Sequence, residues 1–377
     1  MSFKNLAQIS LIIFAGLLIL RQVLALNQLI QSFPLNDFGV YLQGVQHTLT
    51  GNPYAQKFFD YYNYPPAATL FFYPLTLLPI NTSEFIFTGL SIISLFITIW
   101  LLCKLTTRKL TFHFSLLTFY LFLRFSPTRL TLTLGQINLI VLLLIILSFY
   151  WYTKKRQIPA GVSLALAFIF KFTPAILLLF FLLRKQFKLI SAFLITVLMI
   201  NLLAVLVFGW PITQFYYFKV LPSLLNQTGF YTMQRTYMNQ SFTALLGRLG
   251  FFDTYHTLIK LAFTLPLLWF LSRRRHDFTT YALFLSFMTI FLPTFSWQHH
   301  YVFLIPSLFL LGIRSLALGI VSYLLLNFTI SAAFPGYPNP LVHSHLFLSA
   351  TIIFFLMLVL PPPNSPNRGS TPAKLAG

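Results

Sequence analysis

Five carboxylates serve a chain of 377 residues: Asp37, Asp60, Glu84, Asp253 and Asp277, set against 25 lysines and arginines. A reaction that needs a proton acceptor has few groups to draw on. Asp37 follows Asn36 where the first long apolar run ends, and Phe38 to Leu49 can then form a short helix in the membrane interface, closed by Gly51-Asn52-Pro53. A carboxylate there has two compatible uses, as a helix N-cap or as a general base acting on a hydroxyl at the membrane surface. Lys171 is the second conspicuous group. It sits inside the hydrophobic stretch 159–184, where an ammonium is costly unless it meets water, a partner or an anion. Pro174 breaks the helix beside it, and freed N–H groups at a helix start also favour anions. Arg235, Arg248, His299 and His300 are further donors suited to a phosphate, although an arginine at a loop end also serves as an interfacial anchor.

The amides Gln136, Asn138, Asn239 and Gln240, with Trp297, can read hydroxyl groups, or they can simply cross-link helices. Tyr64-Pro65-Pro66 opens an apolar stretch, either as plain punctuation or as an aromatic lining of a site. Adjacent histidines do not share a helix face as an i, i+4 ligand pair does, so no metal is expected at His299-His300, and His343 and His345 carry a weaker signal still. Cys103 is the single cysteine, which excludes an intrachain disulfide and a Cys/His zinc cluster. No phosphate-binding loop, dinucleotide fingerprint, zinc-protease helix or serine nucleophile elbow is present.

The elements that must position these groups are membrane helices. Hydrophobic residues make up 57% of the chain and mean hydropathy is +0.79, which exceeds what a water-soluble core requires. An all-α polytopic membrane protein is expected, with spans near 8–32, 84–103, 110–126, 134–152, 187–208, 254–272, 278–293, 299–313, 315–334 and 343–360. Two proline-broken stretches, 66–79 and 159–184, read as re-entrant or broken segments, giving about 10–13 helices in all. The first run contains Arg21 and reads as a retained span rather than a cleaved signal.

A pI near 10.2 invites a nucleic-acid reading, yet the basic residues cluster between apolar runs, as cytoplasmic loops demand, so no nucleic acid is expected. The clusters Lys104/Arg108/Lys109, Lys154/Lys155/Arg156, Arg184/Lys185/Lys188 and Arg273/Arg274/Arg275 then lie inside. This puts the first outer loop, 34–64, the long loop 209–253 and nearly all the unusual polar residues on the opposite face. Residues 1–360 form a single domain in this reading, and the proline-containing tail 361–377 is expected to be disordered on the cytoplasmic side.

Seven motifs follow one another over residues 36–301: Asp37-Phe38-x-x-Tyr41 with Gly51-Asn52-Pro53-Tyr54, Tyr64-Pro65-Pro66, Gly135-Gln136-Ile137-Asn138, Ala160-Gly161, Lys171-Phe172-Thr173-Pro174, Asn239-Gln240-Ser241, and Ser296-Trp297-Gln298-His299-His300-Tyr301. In that order they resemble the polyprenyl-phosphate-mannose-dependent glycosyltransferases of family 87, also called DUF2029, within the GT-C superfamily. The resemblance implies a GT-C-like helical bundle in the plasma membrane with its active site on the periplasmic or extracellular face. It implies a polyprenyl-phosphate-linked sugar, mannose or another hexose, as donor, a glycan or glycolipid as acceptor, and no cofactor. It maps the base onto Asp37, and it suggests donor and acceptor contacts at Lys171, Gln136, Asn138, Arg235, Asn239, Gln240, Trp297, His299, His300 and Tyr64. Here the lysine and proline stand one residue further apart than in the tightest form of the pattern. The competing reading is a transporter or flippase for a lipid-linked or polar solute, whose mark would be broken helices near the midplane in two related halves.

Overall fold

The computed structural model describes residues 3–32, 35–54, 62–106, 112–226, 238–251, 253–275, 277–328 and 339–360. Asp60, Arg235 and the tail 361–377 lie outside the described residues. In hydrocarbon every backbone N–H and C=O must find an internal partner, so an apolar chain of this kind closes into helices. The chain is an all-α polytopic membrane protein. In order, it forms α1 (Phe3–Ser32), α2 (Asn36–Thr50), α3 (Pro66–Thr76), α4 (Ile80–Thr106), α5 (Phe112–Leu123), α6 (Ser126–Leu134), α7 (Asn138–Thr153), α8 (Gln157–Phe170) and α9 (Ile176–Leu182). There follow α10 (Phe187–Phe208), α11 (Trp210–Phe215), α12 (Leu221–Asn226), α13 (Phe242–Arg248), α14 (Asp253–Ser272), α15 (Phe278–Ile290), α16 (Ile305–Arg314), α17 (Leu316–Asn327) and α18 (His345–Val359).

Among the described residues, three stretches pass as long and apolar enough to cross a bilayer by length and composition: α4, α10, and residues Tyr255–Ser272 of α14. The pair α6 and α7, bent by 118° at Gly135-Gln136-Ile137, would make a fourth. α1 runs for 30 residues, and most of the remaining apolar chain lies in helices of 10–17 residues, shorter than the roughly 20 residues that a full crossing takes. The expected all-α bundle with re-entrant or broken segments is met, with several of its apolar runs broken into shorter helices. Proline and glycine cut the apolar runs into pieces that hydropathy alone joins together.

The break expected near Lys171 is present. α8 ends at Phe170, Lys171 is extended (φ −147°, ψ 129°), and a 3-10 turn over Thr173–Ala175 leads into α9. α2 also falls where the interfacial helix was expected. α6 is the addition: its polar face, with Thr128, Arg129, Thr131 and Thr133, hid it between two expected spans.

All thirteen residues of α15 are buried, which makes it a central helix of the bundle, and α9, α16 and α18 pack against it. Asp277 caps it by accepting from the Thr280 N–H at 2.9 Å, so one of the five carboxylates is spent on structure. α8 lies close against α10 at Gly161, where an added Cβ would stand 2.3 Å from the Leu189 carbonyl. The outward faces of α1 and α10 are rows of exposed Leu, Ile, Met and Phe, as lipid-facing helices require.

Candidate active site

Asp37 is the second residue of α2. The N-cap position is Leu35 and carries no side-chain cap, so the capping use of Asp37 is not realised. Its Oδ2 instead accepts from Gln136 Nε2 at 2.5 Å. The α6–α7 corner makes this contact possible. Gly135 adopts φ +68°, and its missing side chain leaves room for Phe38, whose Cβ would lie 2.6 Å from any Cβ placed there. The corner is fixed by the Gln136 N–H, which donates to the Thr131 carbonyl at 2.9 Å.

The Gln136 amide is held in one orientation because Tyr41 Oη donates to its Oε1 at 3.1 Å. Tyr41 in turn shares a hydroxyl contact with Tyr64 at 3.0 Å. Tyr41 is four residues after Asp37 on α2, so both side chains leave the same helix face. The row Tyr64, Tyr41, Gln136, Asp37 thus ends on a carboxylate that lies partly buried. Burial pushes the Asp37 carboxyl above its ordinary range; the Gln136 hydrogen bond and the positive Lys171 act in the opposite direction without cancelling it.

Lys171, at the break after α8, brings its Nζ to 3.3 Å from His300 Nε2, a distance at which the ammonium donates to an unprotonated ring nitrogen. His300 sits on a 3-10 helix, Gln298–Leu304, with the His299 ring perpendicular to it at 4.6 Å between centroids. Two side chains hold that helix by one carbonyl: Thr131 Oγ1 and Asn138 Nδ2 donate to the His299 oxygen at 3.1 and 3.2 Å. The carboxylate on α2, the amide at the α6–α7 corner, the lysine after α8 and the histidines of the 3-10 helix therefore converge from four parts of the chain.

Asn138 is fully buried and works on that carbonyl, with its Oδ1 left without a partner. A hydroxyl-reading role, as the sequence suggested, would need the amide to be reachable. The same holds for Asn239 and Gln240, both fully buried. Asn239 Oδ1 accepts from the N–H groups of Ser241 (3.2 Å) and Ser296 (3.0 Å), and Gln240 N–H donates to the Ser296 carbonyl at 2.8 Å. Gln240 Nε2 donates to the His343 carbonyl at 2.6 Å, and Tyr301 Oη donates to the Gln240 carbonyl at the same distance. Arg248, considered as a phosphate donor, spends both terminal nitrogens on the Asn239 carbonyl at 3.0 Å. Asn239-Gln240-Ser241 is a clasp, bridged to Trp297, that anchors the loop leading into the histidine helix.

Trp297 is half-buried and stacks on Phe295. Of the expected contacts, Asp37, Gln136, Tyr64, Lys171, His299 and His300 therefore gather in one region; Asn138, Asn239 and Gln240 stand behind it as supports. Tyr41 and Thr131 were not among the expected site residues. The i, i+4 spacing of Asp37 and Tyr41 was the available signal for the first.

Comparison with known proteins gives this geometry a context. A family model described as Glycosyltransferase family 87 matches residues 62–296. Among curated proteins, a polyprenol-phosphate-mannose-dependent alpha-(1-2)-phosphatidylinositol pentamannoside mannosyltransferase of Mycobacterium tuberculosis is 27% identical over 286 residues, covering 72% of this chain and 64% of that protein. A polyprenol-phosphate-mannose-dependent alpha-(1-2)-phosphatidylinositol mannoside mannosyltransferase of the same species is 25% identical over 208 residues, 52% of this chain and 47% of that one. Its counterpart in Mycolicibacterium smegmatis is 24% identical over 307 residues, 72% and 68% of the two chains. The chain thus spans about half to two thirds of the length of these relatives.

Proposed function

The chain belongs to glycosyltransferase family 87, and from that premise we propose that it transfers a hexose, mannose in the first instance, from a polyprenyl-phosphate donor to the hydroxyl of a glycolipid acceptor at the outer face of the plasma membrane. The observation that carries this reading is the pairing of a partly buried carboxylate, Asp37, oriented by Gln136, with the cation Lys171 close enough to act on its charge. The names of the curated relatives, which pair polyprenol-phosphate-mannose with phosphatidylinositol mannosides, support the donor and acceptor classes.

In the proposed step the acceptor hydroxyl loses its proton to Asp37 as its oxygen attacks the anomeric carbon. The new carbon–oxygen bond forms on the face opposite the leaving group, so configuration inverts. The bond from that carbon to the phosphate oxygen breaks, and polyprenyl phosphate departs as an anion. It needs no second carboxylic acid of the kind that glycosidases use to protonate a leaving alcohol. Lys171 is assigned to the charge growing on that phosphate, with His300 steadying the ammonium at 3.3 Å. Tyr41 and Tyr64 keep Gln136 in the orientation that presents its N–H to Asp37.

Membership in a transferase family favours transfer over the transport alternative. The direct test supplies radiolabelled polyprenyl-phosphate-mannose to membranes containing the protein, together with phosphatidylinositol mannosides. Label moving into the glycolipid fraction, above membranes lacking the protein, is the expected result. No transfer from any polyprenyl-phosphate hexose to any glycolipid would refute the reading.

A further inference from the structure

Three arginines outside the site described above meet at one place. Arg21 on α1, Arg124 at the end of α5 and Arg129 on α6 line a cleft of about 210 Å³ together with Gln22 and Tyr120. No acidic side chain among the described residues lines it. Among the described residues, Arg21 and Arg129 make no side-chain hydrogen bond, and Arg124 reaches only the Tyr120 hydroxyl, at 3.4 Å. Three guanidinium groups beside apolar helices repel one another, and holding them there is costly without a negative charge to meet. Carboxylates are scarce, five in 377 residues, and none of the described ones lines this cleft.

The surroundings indicate what does. A second cleft of about 370 Å³ adjoins the first, shares Arg21, and is walled by Leu17, Leu20 and Leu24, each more than half exposed on the outward face of α1. A pocket of cationic forks opening onto an apolar groove has the form of a phospholipid: phosphate on the arginines, acyl chain along the leucines. Two of these elements, α1 and α6, lead in the chain to the active-site residues. α1 precedes the helix of Asp37, and Arg129 stands about 9 Å of helix rise before Gly135 and its neighbour Gln136. The N-terminus of α6 is itself tied down, since Ser126 N–H donates to Asn327 Oδ1 at 2.6 Å.

We propose that Arg21, Arg124 and Arg129 form a lipid-phosphate site that seats the phosphodiester of an anionic glycolipid acceptor, with an acyl chain along Leu17, Leu20 and Leu24, and so aims the acceptor's sugar at Asp37. The inference rests on the glycolipid-acceptor reading above. A lipid phosphate also occurs on the donor, and the test separates the two sources.

Transfer is measured for wild type and for the variants Arg21→Gln, Arg124→Gln, Arg129→Gln and their triple combination, with two acceptors: a phosphatidylinositol mannoside, and an octyl mannoside that lacks phosphate. Because these arginines are exposed, neutral replacements leave the buried core untouched. The triple variant is expected to raise KM for the anionic acceptor about tenfold more than for octyl mannoside, with donor KM changed less than about twofold. Arg124→Lys should recover part of the loss. A rise in donor KM in place of acceptor KM overturns the acceptor assignment, and equal behaviour of all variants overturns the site. Should wild-type protein transfer nothing, the proposed function fails on its own, and the site is judged by binding. Purified protein in phosphatidylcholine nanodiscs doped with phosphatidylinositol should then retain phosphatidylinositol selectively, and the triple variant should not. Equal retention by both proteins rejects the site.

Discussion

At the level of single residues, Asp37 is distinguished by what the other carboxylates do. Asp277 is a helix cap, and Glu84 on α4 makes no side-chain hydrogen bond among the described residues. Asp37 alone among the described carboxylates is oriented by an amide that is itself oriented. A base works ionised, so the rate rises with pH through its folded-state pKa. Burial holds that pKa above the ordinary carboxylate range, and the acid limb of kcat/KM should therefore lie above the value of a free aspartate. The Gln136 hydrogen bond works against burial, so Gln136→Leu removes a lowering influence and should move the acid limb further up. A pH profile of the two proteins decides it; a limb that moves down, or stays in place, contradicts the role given to Gln136. Asp37 and Lys171 were legible in the sequence because charge is rare in an apolar chain. For Asn138, Asn239 and Gln240 the sequence left two uses open, reading hydroxyls or cross-linking, because residue type announces hydrogen-bonding capacity and only the fold shows the backbone carbonyls and N–H groups that these buried amides meet.

At the level of elements, the site depends on one corner. α6 and α7 meet at 118°, and Gly135 allows Phe38 into the bend while Gln136 turns toward Asp37. Gly135→Ala places a methyl 2.6 Å from Phe38 Cβ at φ +68°, a backbone region that costs an L-residue roughly 1–2 kcal/mol before any clash is counted. The variant should melt at lower temperature and lose transfer activity, because relief of the clash shifts Gln136 from Asp37. Unchanged melting and unchanged turnover would show that the corner does not hold the base. Hydropathy located α1, α4, α10, α14 and α18 to within a few residues, since long apolar runs leave little choice in a bilayer. It missed α6 because Thr128, Arg129, Thr131 and Thr133 make that helix polar.

Over the whole molecule, a buried central helix, α15, carries around it the pieces that bring remote motifs together. Residues 37, 136, 171 and 300 are distant in sequence, and their convergence on one region is what the order of motifs implied but could not measure. The apolar exterior of α1 and α10 suits a protein whose donor and acceptor both arrive through the bilayer. Membranes carrying Asp37→Asn should insert and melt as wild type does, yet transfer labelled mannose from polyprenyl-phosphate-mannose to a phosphatidylinositol mannoside about 10²- to 10⁴-fold more slowly. A variant that transfers at near the wild-type rate would contradict the account and pass the search for the base to Asp60.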